Sequence, residues 1–435
     1  IHCYFPLTSE NLIKMSSTVT EISEDILPNE SRRYRLVEEA AFRVADRYGF
    51  DEITTPIFEF TEVFSRTLGD TSDIVTKEMY TFQDKGLESI TLRPEGTAGI
   101  ARAFISNGLQ QELPIKFFYK GPMFRYERPQ AGRFRQFYQI GVEAMGSHNP
   151  SIDAEVMIML MEFFNVLGLN QFELQINSLG CNKCRPEYRE TLKKSITNHL
   201  TDLCKNCNTR YQKNPLRVLD CKIERDIEIA SGLPKITEHI CNECKYHFEK
   251  VQALLSEAMV PYSINSRLVR GLDYYTHTAF EVTSRELGAQ NAISGGGRYN
   301  TLVEEFEGPP TPCFGFALGL ERLVSLVPFH EKESIELTPD VFVVTLGEEA
   351  KSIVFSLVHK LRSGGLSVER DYDEGSMKSQ MRKANKSASL FTLIVGENEI
   401  KSGNYQLKNM HSGKQSCITA VSCVEEIKTL ITQVA

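Results

Sequence analysis

Two strand-like runs, "KFFYKGPMFRYE" from Lys116 and "RQFYQIGVEAMG" from Arg135, flank the polar stretch "RPQAGR". Aromatic and apolar runs joined by a Pro- and Gly-containing segment predict a long hairpin between Ile115 and Met145 with an arginine-bearing loop. The second run carries Gln139 and Glu143, two positions either side of Gly141. The period of two sends both side chains to one face of the strand. If that face is buried, both need partners, and burial is costly unless a polar ligand supplies them.

The rest of the chain puts this hairpin inside a larger α/β domain. With 435 residues the chain is too long for one ordinary core, and two or three domains are expected. Ser31 to Gly49 read as a helix, with Tyr34, Val37, Ala41, Val44 and Tyr48 at helical spacing. Asn29 or Ser31 is expected to cap its start, and Gly49 to end it. "FDEITTPIFEF" follows as an edge strand or strand end, since Pro56 suits no central strand. Ser151 to Leu167 form a strongly apolar helix, and from about Gly180 to Leu255 the pattern turns helical, charged and cysteine-rich. That region reads as an insertion, placed at 178–260 within a larger domain spanning 1–330.

"ISGGGRYNTLVEEF" reads as a glycine turn into a helix, and "CFGFALGLERLVSLV" as a small-residue strand into another. After the polar linker "PFHEKESIELTPD", strand and helix patterns alternate from "VFVVTL" onward. Such alternation predicts a separate α/β domain, at 340–435, with a parallel or mixed sheet.

Composition excludes some classes. A hydrophobic content of 41% with 24% charged residues is ordinary for a globular protein. No window approaches the roughly 18 apolar residues of a membrane span. The first residues, "IHCYFPLTSENLIK", lack a basic segment followed by an apolar one, so no secretory signal is expected and the location is read as cytoplasmic. The sequence also starts without Met, which leaves room for a segment ahead of it. The net charge of −8 argues against wholesale coating of nucleic acid. Residues 351–435, however, hold 12 Lys and Arg against 8 Asp and Glu, a basic balance that points to a polyanionic partner.

Six of the eleven cysteines form three Cys-x-x-Cys pairs: Cys181/Cys184, Cys204/Cys207 and Cys241/Cys244, with Cys221 among them. Such pairs read as metal or redox sites rather than a disulfide framework. The first two pairs have the spacing of a four-thiolate zinc site, but any two of the three could close a tetrahedron. Reduced cysteines without metal are the plain alternative.

Four segments share polar side chains that a structural role does not easily explain. "TLRPEGTAGIAR" offers Glu95, Gly96 and Thr97 after a strand. The hairpin offers Arg125, Glu127, Arg133, Arg135, Gln139 and Glu143. "LVRGLDYYTHTAFEV" adds Arg270, Tyr274 and Tyr275 in what otherwise looks like a strand, and "GFALGLERL" adds Glu321 and Arg322. Taken singly, Arg125 and Glu127 could be a surface pair, Tyr275 a half-buried tyrosine with a wet hydroxyl, and the glycine triplet a flexible turn.

Together these segments resemble the three signature motifs of class II aminoacyl-tRNA synthetases, and specifically the histidyl-tRNA synthetase family. Its two histidine signatures look like "LVRGLDYYTHTAFEV" and "SGGGRYNTLVEEF", which lie in order between the second and third class II motifs. The resemblance runs from about Ile26 to the carboxy terminus and includes "LGCNKCRPEYRE" in the insertion, as in bacterial-type members. Two departures stand out: Asn300 where the family has Asp, and "TEISE" ahead of "DILP".

The resemblance implies a mixed α/β fold: an antiparallel sheet with flanking helices, a mainly helical insertion and a carboxy-terminal α/β anticodon-binding domain. It implies that L-histidine attacks the α-phosphate of ATP, and that the histidyl adenylate is then transferred to tRNA(His). Arg125 and Arg270 would hold the α-phosphate, and Arg133 and Arg322 the γ-phosphate. Glu127 would lie over the adenine, Phe137 would stack on it, and Glu321 would help order Mg2+. Histidine would be held by Glu95, Gly96, Thr97, Gln139, Glu143, Tyr274 and Tyr275. "SMKSQMRKANKSA", with Lys378, Arg382, Lys383 and Lys386, would face the anticodon arm. A homodimer with "FDEITTPIFEF" at its interface is the implied assembly. Two other readings are a synthetase-like regulatory protein of histidine biosynthesis and a tRNA-binding sensor. The first should lack the anticodon domain and intact histidine signatures, and the retained arginines and tyrosines argue against the second.

Overall fold

A computed structural model describes residues 25–68, 74–127, 134–272, 274–285, 291–328, 338–373 and 375–434. The chain divides into two compact units, residues 1–329 and 330–435. In chain order the first unit's strands are β1 (Asp51–Glu52), β2 (Phe58–Phe60), β3 (Tyr80–Gln83), β4 (Ser89–Leu92), β5 (Ile115–Phe124) and β6 (Gln136–Met145). β7 (Phe172–Ser178), β8 (Tyr262–Ile264), β9 (Thr276–Ser284), β10 (Ala292–Arg298) and β11 (Cys313–Gly319) follow. Eight of them build one sheet in the order β1-β5-β6-β11-β10-β9-β7-β8. All neighbours from β5 to β7 in that order are antiparallel, and only the short edge strands β1 and β8 pair parallel.

The expected hairpin is β5 with β6, in a register that sets Phe117 opposite Glu143 and Met123 opposite Phe137. Strand alternation sorts its residues into two layers. Phe118, Ile140 and Val142, with Phe280, Phe314 and Phe316 from other strands, pack under the helices Pro28–Arg47 and Pro150–Val166. Phe117, Tyr119, Met123 and Met145 face the other way, with the helix Thr97–Ser106 and three tyrosines. One face of the sheet is therefore largely a hydrocarbon layer, and the other carries the polar groups of the cleft.

Several local expectations shift. The first helix starts at Pro28 instead of near Ser31, and its cap position, Leu27, makes no side-chain bond. Pro28 explains this, because its fixed φ suits the first turn and its missing N–H is one the helix leaves unpaired there. Asn149 caps the apolar helix, its Oδ1 accepting the Ser151 N–H at 3.0 Å. The glycine triplet is no turn; Gly295, Gly296 and Gly297 lie inside β10 and pair on both sides. Leu268 to Leu272, Tyr274 and Tyr275 are not strand either, since β9 begins only at Thr276. "FDEITTPIFEF" contributes β1 and β2, both edge strands, with Pro56 in neither.

Between β7 and β8 the chain is helical, with helices Arg185–Thr197, Lys205–Lys213, Glu224–Ser231 and Asn242–Glu257. Most of this segment has its own small core around Tyr188, Leu192, Ile196, Val218 and Leu219. Its last helix instead sends Phe248, Val251 and Leu255 into the main core.

The second unit has a five-stranded sheet made of β12 (Val341–Leu346), β13 (Val368–Arg370), β14 (Phe391–Gly396), β15 (Asn404–Asn409) and β16 (Gln415–Thr419). Its order is β13-β12-β14-β15-β16; the first three strands are parallel and the last two antiparallel. Val341, Val343, Leu393 and Val395 pack with the helix Glu348–Ser363, while Phe342, Val344 and Ile394 pack with Ala384 on the opposite face. Burial on both faces accounts for the unbroken apolar runs "VFVVTL" and "FTLIV".

Candidate active site

The polar layer of the large sheet opens into a cleft of about 240 Å³. Its lining draws Glu95 and Thr97 from the turn after β4, Arg125, Glu127 and Phe137 from the hairpin, and Gln139 from β6. Arg270, Tyr274 and Tyr275 come from the loop before β9, and Glu321 and Arg322 from the start of the helix Leu320–Leu326. Segments far apart in sequence thus meet at one place.

Each group is held. The Glu95 carboxylate accepts the backbone N–H groups of Thr97 and Ala98, both at 2.8 Å, and so satisfies donors left open at the start of the helix Thr97–Ser106. Burial pushes its pKa up, against those two bonds. Arg125 donates through Nε to the Pro94 carbonyl at 2.8 Å and lies 5.2 Å from the centre of the Phe137 ring. Arg270 donates through Nη1 to Glu281 at 3.0 Å. Burial opposes its charge, but Tyr275 and Glu281 hold its pKa above the usual value. Arg322 donates to the Ala292 carbonyl at 2.8 Å. Glu321 accepts the Tyr138 N–H at 2.6 Å, and burial pushes its carboxyl up to about 7.

Gln139 has no such partner for its carbonyl oxygen, which is buried and makes no hydrogen bond among the described residues. The Tyr274 hydroxyl is also buried without a well-formed bond. A buried acceptor left open in a cleft is an incomplete hydrogen-bond set that a polar ligand would complete. The described lining contains three arginines and four glutamates, and neither cysteine nor histidine. Such a set suits holding ammonium, carboxylate and phosphate groups rather than forming a covalent intermediate.

A family model described as Histidyl-tRNA synthetase matches residues 23–323, and one described as Anticodon binding domain matches residues 340–430. The chain belongs to the histidyl-tRNA synthetase family. A protein named Histidine--tRNA ligase from Pelotomaculum thermopropionicum is 49% identical over 423 residues, 96% of this chain and 99% of that one. Another of that name, from Halothermothrix orenii, is 48% identical over 414 residues, 94% of this chain and 98% of that one. Among solved structures, the crystal structure of apo S. aureus histidyl-tRNA synthetase superposes with a TM-score of 0.79 at 39% identity, covering 93% of this chain and 98% of that one.

Most of the residues singled out in the sequence for this family's site meet in the cleft, but two lie beneath it. Glu143 is not on the lining; it sits 1% exposed under the floor. Thr97 Oγ1 donates to its Oε1 at 2.6 Å, and the Tyr299 hydroxyl donates to its Oε2. Gly96 is likewise off the lining, and its role here is steric: a Cβ would come within 2.3 Å of the Tyr119 ring. Arg133 lies outside the described residues. Tyr274 and Tyr275 lie in the loop before β9 and not in a strand; both are buried, with ring centres 4.6 Å apart.

Three functional neighbours escaped the sequence reading. Tyr299 stands in the quoted "GGGRY" run and could have been named with it. Glu281 stands in the quoted "LVRGLDYYTHTAFEV" run and could likewise have been named with it. Tyr119 looks like one more aromatic of the hairpin. Asn300, the departure from the family's Asp, still supplies an acceptor: its Oδ1 receives Arg298 Nη1 at 3.4 Å and the Cys313 N–H at 3.3 Å.

Of the pairings that the spacing leaves open, the fold brings the first and third together, and the second meets a different pair of donors. Cys181 and Cys184 meet Cys241 and Cys244, while Cys204 and Cys207 meet Cys221 and Asp226. The chain's return between β7 and β8 decides this pairing, and sequence spacing does not record it. The ten cysteines among the described residues form no disulfide.

The buried Glu143 generates a pH test. Burial raises its carboxyl from 4.5 to about 8, against the Thr97 and Tyr299 bonds that favour the charged form. Below 4.5 folded and unfolded chains both keep the proton. Between 4.5 and about 8 the unfolded chain has lost it while the folded one retains it, so this group's contribution to stability falls as pH rises. Glu143→Gln removes the titration. Thermal melts at about pH 5 and about pH 9 should therefore show the Tm of Glu143→Gln gaining on wild type at the higher pH; a constant gap would contradict the buried neutral carboxyl.

Proposed function

We propose that the chain is a histidine–tRNA ligase, which activates L-histidine with ATP and passes it to the 3′ end of tRNA(His). The observation that carries this reading is the open acceptor of Gln139 beside Glu95 and the arginines, in a chain of the histidyl-tRNA synthetase family. The histidine ammonium lies against Glu95, Thr97 and Gln139, where anionic and carbonyl oxygens converge. Its imidazole needs a donor and an acceptor across the ring. Tyr274 and Tyr275 line that end of the cleft, and Glu143 acts from below, through the Thr97 and Tyr299 hydroxyls it receives.

In the first step the histidine carboxylate oxygen attacks the α-phosphorus as the bond to the pyrophosphate oxygen breaks. Positioning and charge neutralisation are what such a displacement needs. Arg125 holds the α-phosphate against the histidine carboxylate, and Arg270 reaches the same phosphate. Arg322, with Arg133, takes the γ-phosphate; Phe137 stacks on the adenine and Glu127 lies over it. Magnesium, bound with ATP, supplies charge neutralisation on the outer phosphates. It prefers hard oxygen donors, and Glu321 offers a carboxylate on the lining. In the second step the terminal ribose hydroxyl of the tRNA attacks the adenylate carbonyl and releases AMP.

The second unit binds the anticodon arm. Along its helix Met377–Lys386, Lys378, Arg382 and Lys386 recur every four residues and are exposed. Lys383, grouped with them in the sequence, turns instead to Asp371 and Asp373. We place the ligase in the cytoplasm, in keeping with the absence among the described residues of any helix long and apolar enough to cross a membrane. It works as a homodimer whose second copy covers the exposed Ile57, Phe58, Phe60 and Phe82. Neither cysteine group borders the cleft, so a metal there is structural.

Exchange of pyrophosphate into ATP, assayed with each of the twenty amino acids, should proceed with histidine alone. Arg270→Ala should lower kcat/KM by roughly a hundredfold or more, as when a transition-state donor is removed. Exchange independent of histidine would refute the ligase reading. Replacing Lys378, Arg382 and Lys386 by Glu should spare exchange while weakening tRNA charging and flattening its salt dependence, by about one unit of slope for each phosphate no longer neutralised. Equal charging by that variant would remove the helix from the tRNA interface. Sedimentation should give a dimer at micromolar concentration, and Phe58→Asp should shift it toward monomer; a wild-type monomer would refute the assembly.

A further inference from the structure

The segment between β7 and β8 brings two sets of donors into position to hold a metal. In the first, Sγ of Cys181 lies 3.3 Å from Cys184 and 4.0 Å from Cys241, and Cys184 lies 3.7 Å from Cys244. Four thiolates around zinc, at about 2.3 Å each, sit ~3.8 Å apart at the corners of a tetrahedron. These separations bracket that figure and exceed a disulfide. In the second set, Cys221 Sγ is 3.1 Å from Asp226 Oδ2, and the ligand atoms of Cys204, Cys207, Cys221 and Asp226 all lie within 4.8 Å of one another. In both sets a backbone N–H points at a sulfur, Cys181 N to Cys184 at 3.2 Å and Cys207 N to Cys204 at 3.3 Å. Such bonds orient and stabilise thiolate ligands. Asp226 is 1% exposed and is held in place by the Cys204 N–H at 3.2 and 3.3 Å, which aims its carboxylate at the same sulfurs.

Each set also sits beside an arginine that reaches back to the catalytic unit's loop. Arg185 follows Cys184, its N–H bonds the Cys181 carbonyl at 3.0 Å, and its guanidinium donates to the Tyr275 carbonyl. Arg217 lies in the short turn of helix Pro215–Asp220, which ends at Cys221, and donates to the Gly271 carbonyl at 2.7 Å. Gly271 directly follows Arg270 and Tyr275 directly follows Tyr274, so the two bonds fall beside the side chains that this loop carries to the cleft. We infer that this segment binds two structural zinc ions, one at Cys181, Cys184, Cys241 and Cys244 and one at Cys204, Cys207, Cys221 and Asp226, and that they seat Arg185 and Arg217 as a two-point clamp on that loop. Arg185 and Arg217 are positioning residues. They touch the main chain of the loop and act on histidine through Tyr275 and Arg270.

The zinc assignment stands on the donor geometry; the clamp's kinetic effect rests on the ligase reading. Full-length protein purified without a metal-affinity tag should carry two zinc per chain by elemental analysis. One zinc would overturn the two-site assignment, and none, or iron in its place, would overturn both sites. That stoichiometry decides the matter however the variants fold. Cys207→Ser should keep one zinc, and its retention of two would also remove the second site. With wild-type exchange established first, Arg217→Ala should keep both zinc ions and raise the KM for histidine about fivefold to tenfold, more than it lowers kcat, as expected for losing one charge-assisted bond to the loop. Arg217→Lys, which keeps a donor, should recover part of the loss. An unchanged KM at full zinc content would overturn the clamp and leave the ligase reading untouched.

Discussion

The first unit hangs on a guanidinium that water does not reach. Arg298, at the end of β10, is 1% exposed and meets the fully buried Asp153 through Nε at 3.1 Å. Asp153 lies in the first turn of the helix Pro150–Val166 and also faces His247 Nε2 at 2.8 Å, from the helix Asn242–Glu257. One carboxylate thereby ties the sheet, its main covering helix and the last helix of the insertion. Burial alone would raise its pKa, but Arg298 and His247 hold it below the usual carboxylate range. Taking away one member of such a pair costs about 3–5 kcal/mol, because the other is left buried and uncompensated. The next residue, Tyr299, turns to the opposite face and donates to Glu143. The anchor on one face thus fixes the floor of the cleft on the other.

That floor is made largely of backbone. A Cβ on Gly295 would meet the Arg270 guanidinium at 2.3 Å, and one on Gly315 would meet Glu143 at 1.9 Å. Close approach rather than a turn calls for glycine at 315, where the Val142 carbonyl would also stand at 2.3 Å; at 295 the group met is the end of the Arg270 side chain. This is why the triplet misleads as a sequence signal: a strand of glycines looks like a loop until the groups lying against it are known. The same removal of side chains lets Arg270 lie flat over β10 with Glu281 as its partner.

Local pattern was enough to read the hairpin, the apolar helix after it, the helical insertion and the strand–helix alternation of the second unit. Each of these rests on periodicity within a few turns or one strand pair. What pattern could not supply was depth and pairing across the chain. Gln139 and Glu143 share a face as their spacing requires, yet one ends at the cleft and the other under it. Thr97 and Tyr299, from two distant segments, cover Glu143. Cys184 finds Cys244 sixty positions away rather than the nearer Cys204 pair. Lys383 matches the helical stripe in sequence but is drawn to Asp371 and Asp373, which the helix meets only in the folded sheet.

The cleft's charges are arranged before any substrate arrives. Arg125 is fixed on the Pro94 carbonyl, Arg322 on that of Ala292 and Arg270 on Glu281. A long guanidinium side chain loses much rotamer freedom when it is immobilised, and here folding has already imposed that loss. In the proposed ligase a triphosphate would meet oriented forks, and its affinity would not be spent on ordering them. Arg270 is the exception that shows the cost of this order. In the proposed role it would have to share its fork between a phosphate oxygen and Glu281, in a site where burial weighs against unpaired charge. The loop that carries it must therefore be held from outside the cleft, where Gly271 and Tyr275 receive the two insertion arginines.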